Sequence, residues 1–328
     1  MATYYGTYGQ KVQYLASDPS DPQTGQVWYN STSAVLKVRS VTTSGTWAAG
    51  GNLGTARRVL GGAGTQTAGL AFGGLTTVNT AETEEYGGTS WTAGGNLGTA
   101  RRDLGGTGTQ TAALAIGGFV LPSGNTAATE EYDGTSWTSG GNLGTTRRVM
   151  GAAGTQTSAL AFGGFIPPDS TATEEYDGTS WTAGGNMGTA RRSPAGAGTQ
   201  TAALAFGGFL YPTSNATEEY DGTSWTTGGN LGTPRTTLGG SGIQTAALAF
   251  GGLTDADAGL SATELYNGTS WTANPTGLNT ARGVLGGSTA GTQTSALAFG
   301  GYTGTAPTAA TEEWTGPGIG ETKTVTVS

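Results

Sequence analysis

The chain is 328 residues long, with 62 glycines, no histidine, no cysteine, and 22 acidic against 14 basic residues for a net charge of −8. These side chains cannot assemble an imidazole base, a thiolate nucleophile, a disulfide or a soft metal site. The acidic balance argues against nucleic acid or an anionic membrane as a partner.

Met1 to Tyr5 lack a basic segment leading into an apolar one, so no secretion signal is expected. No apolar run approaches the roughly 18 residues of a membrane span, so no membrane insertion is expected. Residues 1–44 read as a small β module, with a Pro and Asp turn region from Asp18 to Pro22 and a hairpin about Asn30-Ser31-Thr32-Ser33. The pattern D-P-x-x-P-x-x-G-Q-x-W-Y-N-S-T-x-x-x-L-K over Asp18 to Lys37 resembles a short module near the start of tail-fibre and other virion proteins of bacteriophages. The resemblance implies a virion component whose first module attaches to the particle. The plain alternative is a mini-domain packed against the next domain.

From residue 45 to 315 one segment recurs at a period of about 45 residues, the mark of a repeat architecture. The tryptophan of its S-W-T element falls at Trp47, Trp91, Trp137, Trp181, Trp225 and Trp271. The aromatic of its T-E-E element falls at Tyr86, Tyr132, Tyr176, Tyr220, Tyr266 and Trp314, so Trp314 occupies a tyrosine position. Each copy holds four strand-length runs; in the first these are Arg58 to Ala63 (a), Thr67 to Phe72 (b), Ala81 to Tyr86 (c) and Trp91 to Asn96 (d). Clusters of Gly, Asn, Asp and Thr bound them, and none has a helical apolar period. Y-D-G-T-S-W is a hairpin signal, because Asp-Gly suits turn positions that need positive φ.

Six a-b-c bodies start near Arg57, Arg101, Arg147, Arg191, Arg235 and Arg282, and a d element around Trp47 precedes them all. The expected fold is therefore all-β, a six-bladed β-propeller of four-stranded blades. The N-terminal d strand closes the sixth blade beside Leu297 to Phe299 and Thr311 to Trp314, removing an open edge. Paired glycines such as Gly61-Gly62 and Gly105-Gly106 let the inner strands crowd the axis.

The Gly-Gly pairs ending strand b (Gly73-Gly74, Gly117-Gly118, Gly163-Gly164, Gly207-Gly208, Gly251-Gly252, Gly300-Gly301), the later Tyr and Trp, and the Arg before strand a resemble the kelch-repeat family of β-propellers. Tyr and Trp stand closer together here than is usual in kelch motifs. A WD-type propeller would want Gly-His pairs, which a chain without histidine lacks. Kelch-type copper oxidases use His and a Tyr linked to Cys, so that activity is ruled out. No cofactor and no catalytic or metal site is expected.

Arg57-Arg58, Arg101-Arg102, Arg147-Arg148 and Arg191-Arg192 recur with Glu84-Glu85, Glu130-Glu131, Glu174-Glu175 and Glu218-Glu219. Because the two sets repeat together, each Arg is expected to pair with a nearby Glu within or between blades. The alternative is recognition of sulfated or carboxylated sugars. Glycosidase chemistry needs two carboxyl groups in different environments facing one sugar. Adjacent glutamates on a strand point to opposite faces, and six identical pairs differentiate nothing.

Variation concentrates between strands b and c, where loops on a rigid scaffold commonly bind. Phe119, Phe165, Phe209, Tyr211 and Tyr302 are the candidate stacking or packing anchors; Asp169, Asp255 and Asp257 are candidates for sugar hydroxyls or a hard cation such as calcium. The alternative is neutral drift, with the leading Phe or Leu plugging the blade end. The C-terminal segment 316–328 alternates like an edge strand, to be paired with the N-terminal module or with another subunit. The combined expectation is a non-enzymatic phage virion protein, a tail, fibre or surface component with a host-recognition or attachment role. Its partners would be other virion proteins, further copies of the chain in a particle, and a host-surface glycan or protein. A free, extracellular carbohydrate-binding propeller is the alternative.

Overall fold

A computed structural model describes residues 12–42, 44–318 and 320–325. No helix occurs among them, and two compact units divide the chain: the described residues of 1–45 with those of 316–328, and residues 46–315.

In the first unit, Val27–Asn30 pairs antiparallel with Val35–Val41 around a turn at Ser31 to Ala34, and Gln13–Leu15 lies parallel to Val27–Asn30. The C-terminal strand Gly320–Val325 completes this sheet, antiparallel to Val35–Val41 with Leu36 opposite Val325, so the tail pairs within its own chain. Asp18 ties the motif together. Its carboxylate accepts from Trp28 Nε1 at 3.0 Å, Asn30 Nδ2 at 2.7 Å and Lys37 Nζ at 2.6 Å. Lys37 first, then Asn30 and Trp28, pull its pKa down to about 2.

In residues 46–315 the strands form six four-stranded antiparallel sheets among the described residues, an arrangement consistent with a propeller-like fold. Sheet one holds Gly61–Gly64, Gly69–Phe72, Thr83–Tyr86 and Trp91–Ala93 as strands a to d. The same order repeats from Gly105, Gly151, Ala195 and Gly239 in sheets two to five. Sheet six consists of Gly286–Gly287, Ser295–Phe299, Thr311–Thr315 and, from the other end of the repeat array, Thr46–Ala49, with Trp314 opposite Trp47. Hairpins c to d turn on Asp-Gly where that pair is present: Asp133 Oδ1 accepts from the Thr135 and Ser136 amides at 2.8 Å, and Gly134 sits at φ +89°.

Strand a begins at Gly61 rather than at Arg58. Val59, Asp103, Val149, Ser193, Thr237 and Val284 all adopt φ between +49° and +58°, which breaks the strand direction. For valine and threonine this left-handed conformation costs about 1–3 kcal/mol each. What holds it is a set of bonds between sheets. The Asp103 amide donates to Val59 O (2.9 Å), Val149 to Asp103 O (2.8 Å), Ser193 to Val149 O (2.6 Å), Thr237 to Ser193 O (3.3 Å), Val284 to Thr237 O (2.9 Å) and Val59 to Val284 O (2.9 Å). The first strands approach closely as well. A Cβ on Gly106 would lie 2.5 Å from the Gly62 carbonyl oxygen, so the small residues are required there.

The apolar core is divided among the seams between sheets; Leu70, Phe72, Leu97, Ala113, Ala115 and Tyr132 form one such cluster across sheets one and two. Polar contacts repeat along every seam. The indole of each d strand donates to the T-E-E threonine of the preceding sheet at 2.9–3.0 Å, from Trp137 to Thr83 through to Trp47 on Thr263 and Trp91 on Thr311. Each repeat glutamine reaches back to carbonyls of the preceding sheet, as Gln156 Nε2 does to Ala113 O at 3.1 Å and Tyr132 O at 2.6 Å.

Candidate functional site

The two arginines of each Arg-Arg pair part company. The first, like the single arginine of sheets five and six, is fully buried and forms an ion pair within its own sheet: Arg57 with Glu84 at 2.9 Å, Arg101 with Glu130 at 3.1 Å, Arg147 with Glu174 at 2.8 Å, Arg191 with Glu218 at 3.1 Å, Arg235 with Glu264 at 3.0 Å, and Arg282 with Glu312. The other oxygen of each glutamate caps a backbone amide, such as Gly144 N at 2.6 Å. Burial lowers the pKa of these guanidiniums, and the paired glutamate opposes the shift.

The second glutamate does not pair with arginine at all. It accepts from the tyrosine of the following sheet: Tyr132 on Glu85, Tyr176 on Glu131, Tyr220 on Glu175 and Tyr266 on Glu219, each at 2.5 Å, and Tyr86 on Glu313. Burial, then the carboxylate bond, pushes all five phenols up to about 12. The one departure is matched on both sides of its seam. Leu265 stands where sheet five would carry that glutamate, Trp314 stands where sheet six would carry the tyrosine, and the two pack in one apolar cluster.

The expectation that every Arg pairs with a Glu therefore holds for the first arginine only. Arg58, Arg102, Arg148 and Arg192 lie instead over the aromatics that lead the b-to-c loops. Arg58 covers Tyr302 (4.7 Å to the ring centroid), Arg102 covers Phe119 (4.6 Å), Arg148 touches Phe119 (4.7 Å) and Phe165 (5.2 Å), and Arg192 touches Phe165 (5.4 Å) and Phe209 (4.3 Å). Backbone bridges Arg102 to Phe119, Arg148 to Phe165 and Arg192 to Phe209 set this contact. Phe119, Phe165, Phe209 and Tyr302 are thus half-buried, each with a guanidinium against its ring.

The remaining candidates separate. Tyr211 is 84% exposed, its ring 6.0 Å from Phe209. Asp169 pairs with Arg192 at 3.3 Å. Asp255 accepts from the Thr213 amide at 2.7 Å, bridging two neighbouring loops, while Asp257 is exposed at φ +56°. Among the described residues no three carboxylates gather as a metal site.

A cavity of about 470 Å³ opens between Arg102, Asp103, Arg148, Val149, Phe165, Arg192 and Ser193. Asp103 lies 3.4 Å from Arg102 Nε; burial pushes its carboxyl above the ordinary value, against the pull of Arg102, Arg148 and Arg58. Arg102 Nη1 also donates to Asn79 Oδ1 at 3.0 Å. The Arg148 guanidinium has no hydrogen bond or salt bridge among the described residues. Sequence reasoning did not place Arg58, Arg102, Arg148, Arg192 or Asp103 on this face. The available signal was co-occurrence, since sheets two, three and four carry both the second Arg and a leading Phe. Compared with family models and with curated proteins, the chain matches none.

Proposed function

We propose that residues 46–315 form a six-bladed, kelch-like β-propeller closed by the N-terminal strand Thr46–Ala49. In this reading the protein is a non-enzymatic structural component of a bacteriophage particle, in the tail, a fibre or the surface, that contacts the host through its b-to-c loops. The strand register of sheet six and the bond from Val59 to Val284 support the ring. The Asp18, Trp28, Asn30 and Lys37 cluster gives the module that resembles phage virion proteins a common structural purpose, which supports the virion reading.

One observation carries the attachment role: within residues 46–315 the exposed large apolar side chains are Val78, Leu121, Leu210, Tyr211 and Ile243, and all but Ile243 lie in b-to-c loops. Buried seams and an apolar, variable loop face fit a scaffold that presents a recognition surface. No catalytic role is proposed, because the repeated carboxylates are already committed to arginine and tyrosine. Particles carrying Phe119→Ala, Phe165→Ala and Tyr211→Ala together are expected to adsorb to host cells more slowly than the parent. Unchanged adsorption would remove the attachment role.

A further inference from the structure

We propose that Arg102, Arg148 and Arg192, with Phe119 and Phe165 between them, form a binding site for an anionic saccharide, whose carboxylate or sulfate sits against Arg148. The inference rests on the attachment reading and names its ligand class.

Charge is the first argument. The chain as a whole carries −8, yet three guanidiniums converge on one cavity. Two of the three have a carboxylate in contact, Asp103 for Arg102 at 3.4 Å and Asp169 for Arg192 at 3.3 Å. The Arg148 guanidinium has neither a salt bridge nor a hydrogen bond among the described residues, so one positive charge is left over at the centre of the row. A single carboxylate or sulfate ester would balance it. A polyanion such as nucleic acid would meet the net negative charge of the rest of the chain.

Rigidity is the second. Arg148 is held against Phe119 at 4.7 Å and Phe165 at 5.2 Å, which fixes the plane of its fork before any ligand arrives. A guanidinium set in this way presents paired donors to a carboxylate or sulfate with little further ordering cost. The backbone below it is pinned too, since Val149 N bonds to Asp103 O at 2.8 Å and Ser193 N to Val149 O at 2.6 Å.

Size and surroundings are the third. The cavity of about 470 Å³ falls within the roughly 300–1,000 Å³ of small-ligand sites. On the same loop face Tyr211, 84% exposed, offers a free aromatic surface for the C–H face of a sugar ring.

The test is calorimetric titration of the intact protein with three probes: trigalacturonic acid, which carries carboxylates only, a κ-carrageenan tetrasaccharide, which carries sulfate esters only, and neutral maltotriose. Binding of at least one acidic probe, about tenfold or more tighter than maltotriose and weakened by added salt, is expected, and which acidic probe binds separates carboxylate from sulfate. Arg148→Gln should weaken that binding about tenfold or more. Asp103→Asn should tighten it, because it removes the competing carboxylate, and asparagine tolerates the φ of +58° at this position. The two variants move affinity in opposite directions, which a loss of folding would not do. Equal binding of maltotriose, no binding of either acidic probe, or an Arg148→Gln affinity equal to the parent's would overturn the site. Slowed adsorption of the Phe119, Phe165 and Tyr211 variant with no acidic-probe binding would remove this site and leave the attachment role. Acidic-probe binding with unchanged adsorption would do the reverse.

Discussion

Arg147 and Arg148 are neighbours in the chain and belong to two different regions of the molecule. Arg147 is fully buried against Glu174 inside its sheet; Arg148 lies partly exposed over Phe119 and Phe165 on the loop face. Each contact within the sheets and along the seams needs both partners at once, so its residues repeat as sets. The loop face has no such demand beyond the aromatic under each guanidinium, and it is where the copies diverge. Near-identity among repeats thus marks mutual dependence, and departures from it are informative when they come in pairs.

The largest expected effect comes from breaking a buried pair. Arg147→Gln leaves Glu174 buried with only the Gly144 amide as partner and should cost about 3–5 kcal/mol in urea unfolding. A loss below about 1 kcal/mol would mean that this pair is not the strut described here. Next comes the seam between sheets four and five. Glu219→Leu or Tyr266→Trp alone leaves one partner of this hydrogen bond unsatisfied and should cost about 1–3 kcal/mol. The double change Glu219→Leu with Tyr266→Trp copies the Leu265 and Trp314 arrangement and should cost clearly less than the sum of the singles. Additive losses would show that the Leu265 and Trp314 pairing is coincidental.

The tyrosine seams also carry a pH signature. Burial first, and then the bond each neutral phenol gives its glutamate, hold the folded pKa at about 12, above the value near 10 in an unfolded chain. That stabilisation is complete below pH 10 and is lost as pH rises towards 12. The stability difference between the parent and Tyr176→Phe should therefore shrink over that interval, and a constant difference would contradict the assignment. The smallest effect belongs to the loop face. Phe165→Ala removes the ring contacts of Arg148 and Arg192 from a half-buried position and should cost about 0.5–2 kcal/mol, combining the cation–π contacts with lost apolar burial.

Much of the fold was legible because the repeat is strict. The strand count per copy, the Asp-Gly hairpins and the tyrosine register of Trp314 follow from spacing and turn chemistry alone. What spacing could not convey was which of two adjacent arginines turns inward. That depends on Val149 and its counterparts taking a left-handed conformation, and nothing about a valine suggests one. The loop aromatics were found from variation, yet their cover was missed, because Arg148 stands before strand a and Phe165 after strand b, and the two meet only through a backbone bridge that spacing does not reveal. Asp169 and Asp255 were legible as polar loop residues; their engagement with Arg192 and the Thr213 amide required coordinates.

The contrast between the two regions is tested most directly by urea unfolding of Arg147→Gln and Arg148→Gln side by side. A loss of about 3–5 kcal/mol is expected for the first and about 1 kcal/mol or less for the second. Equal losses at the two neighbouring positions, or a larger loss at Arg148, would contradict it.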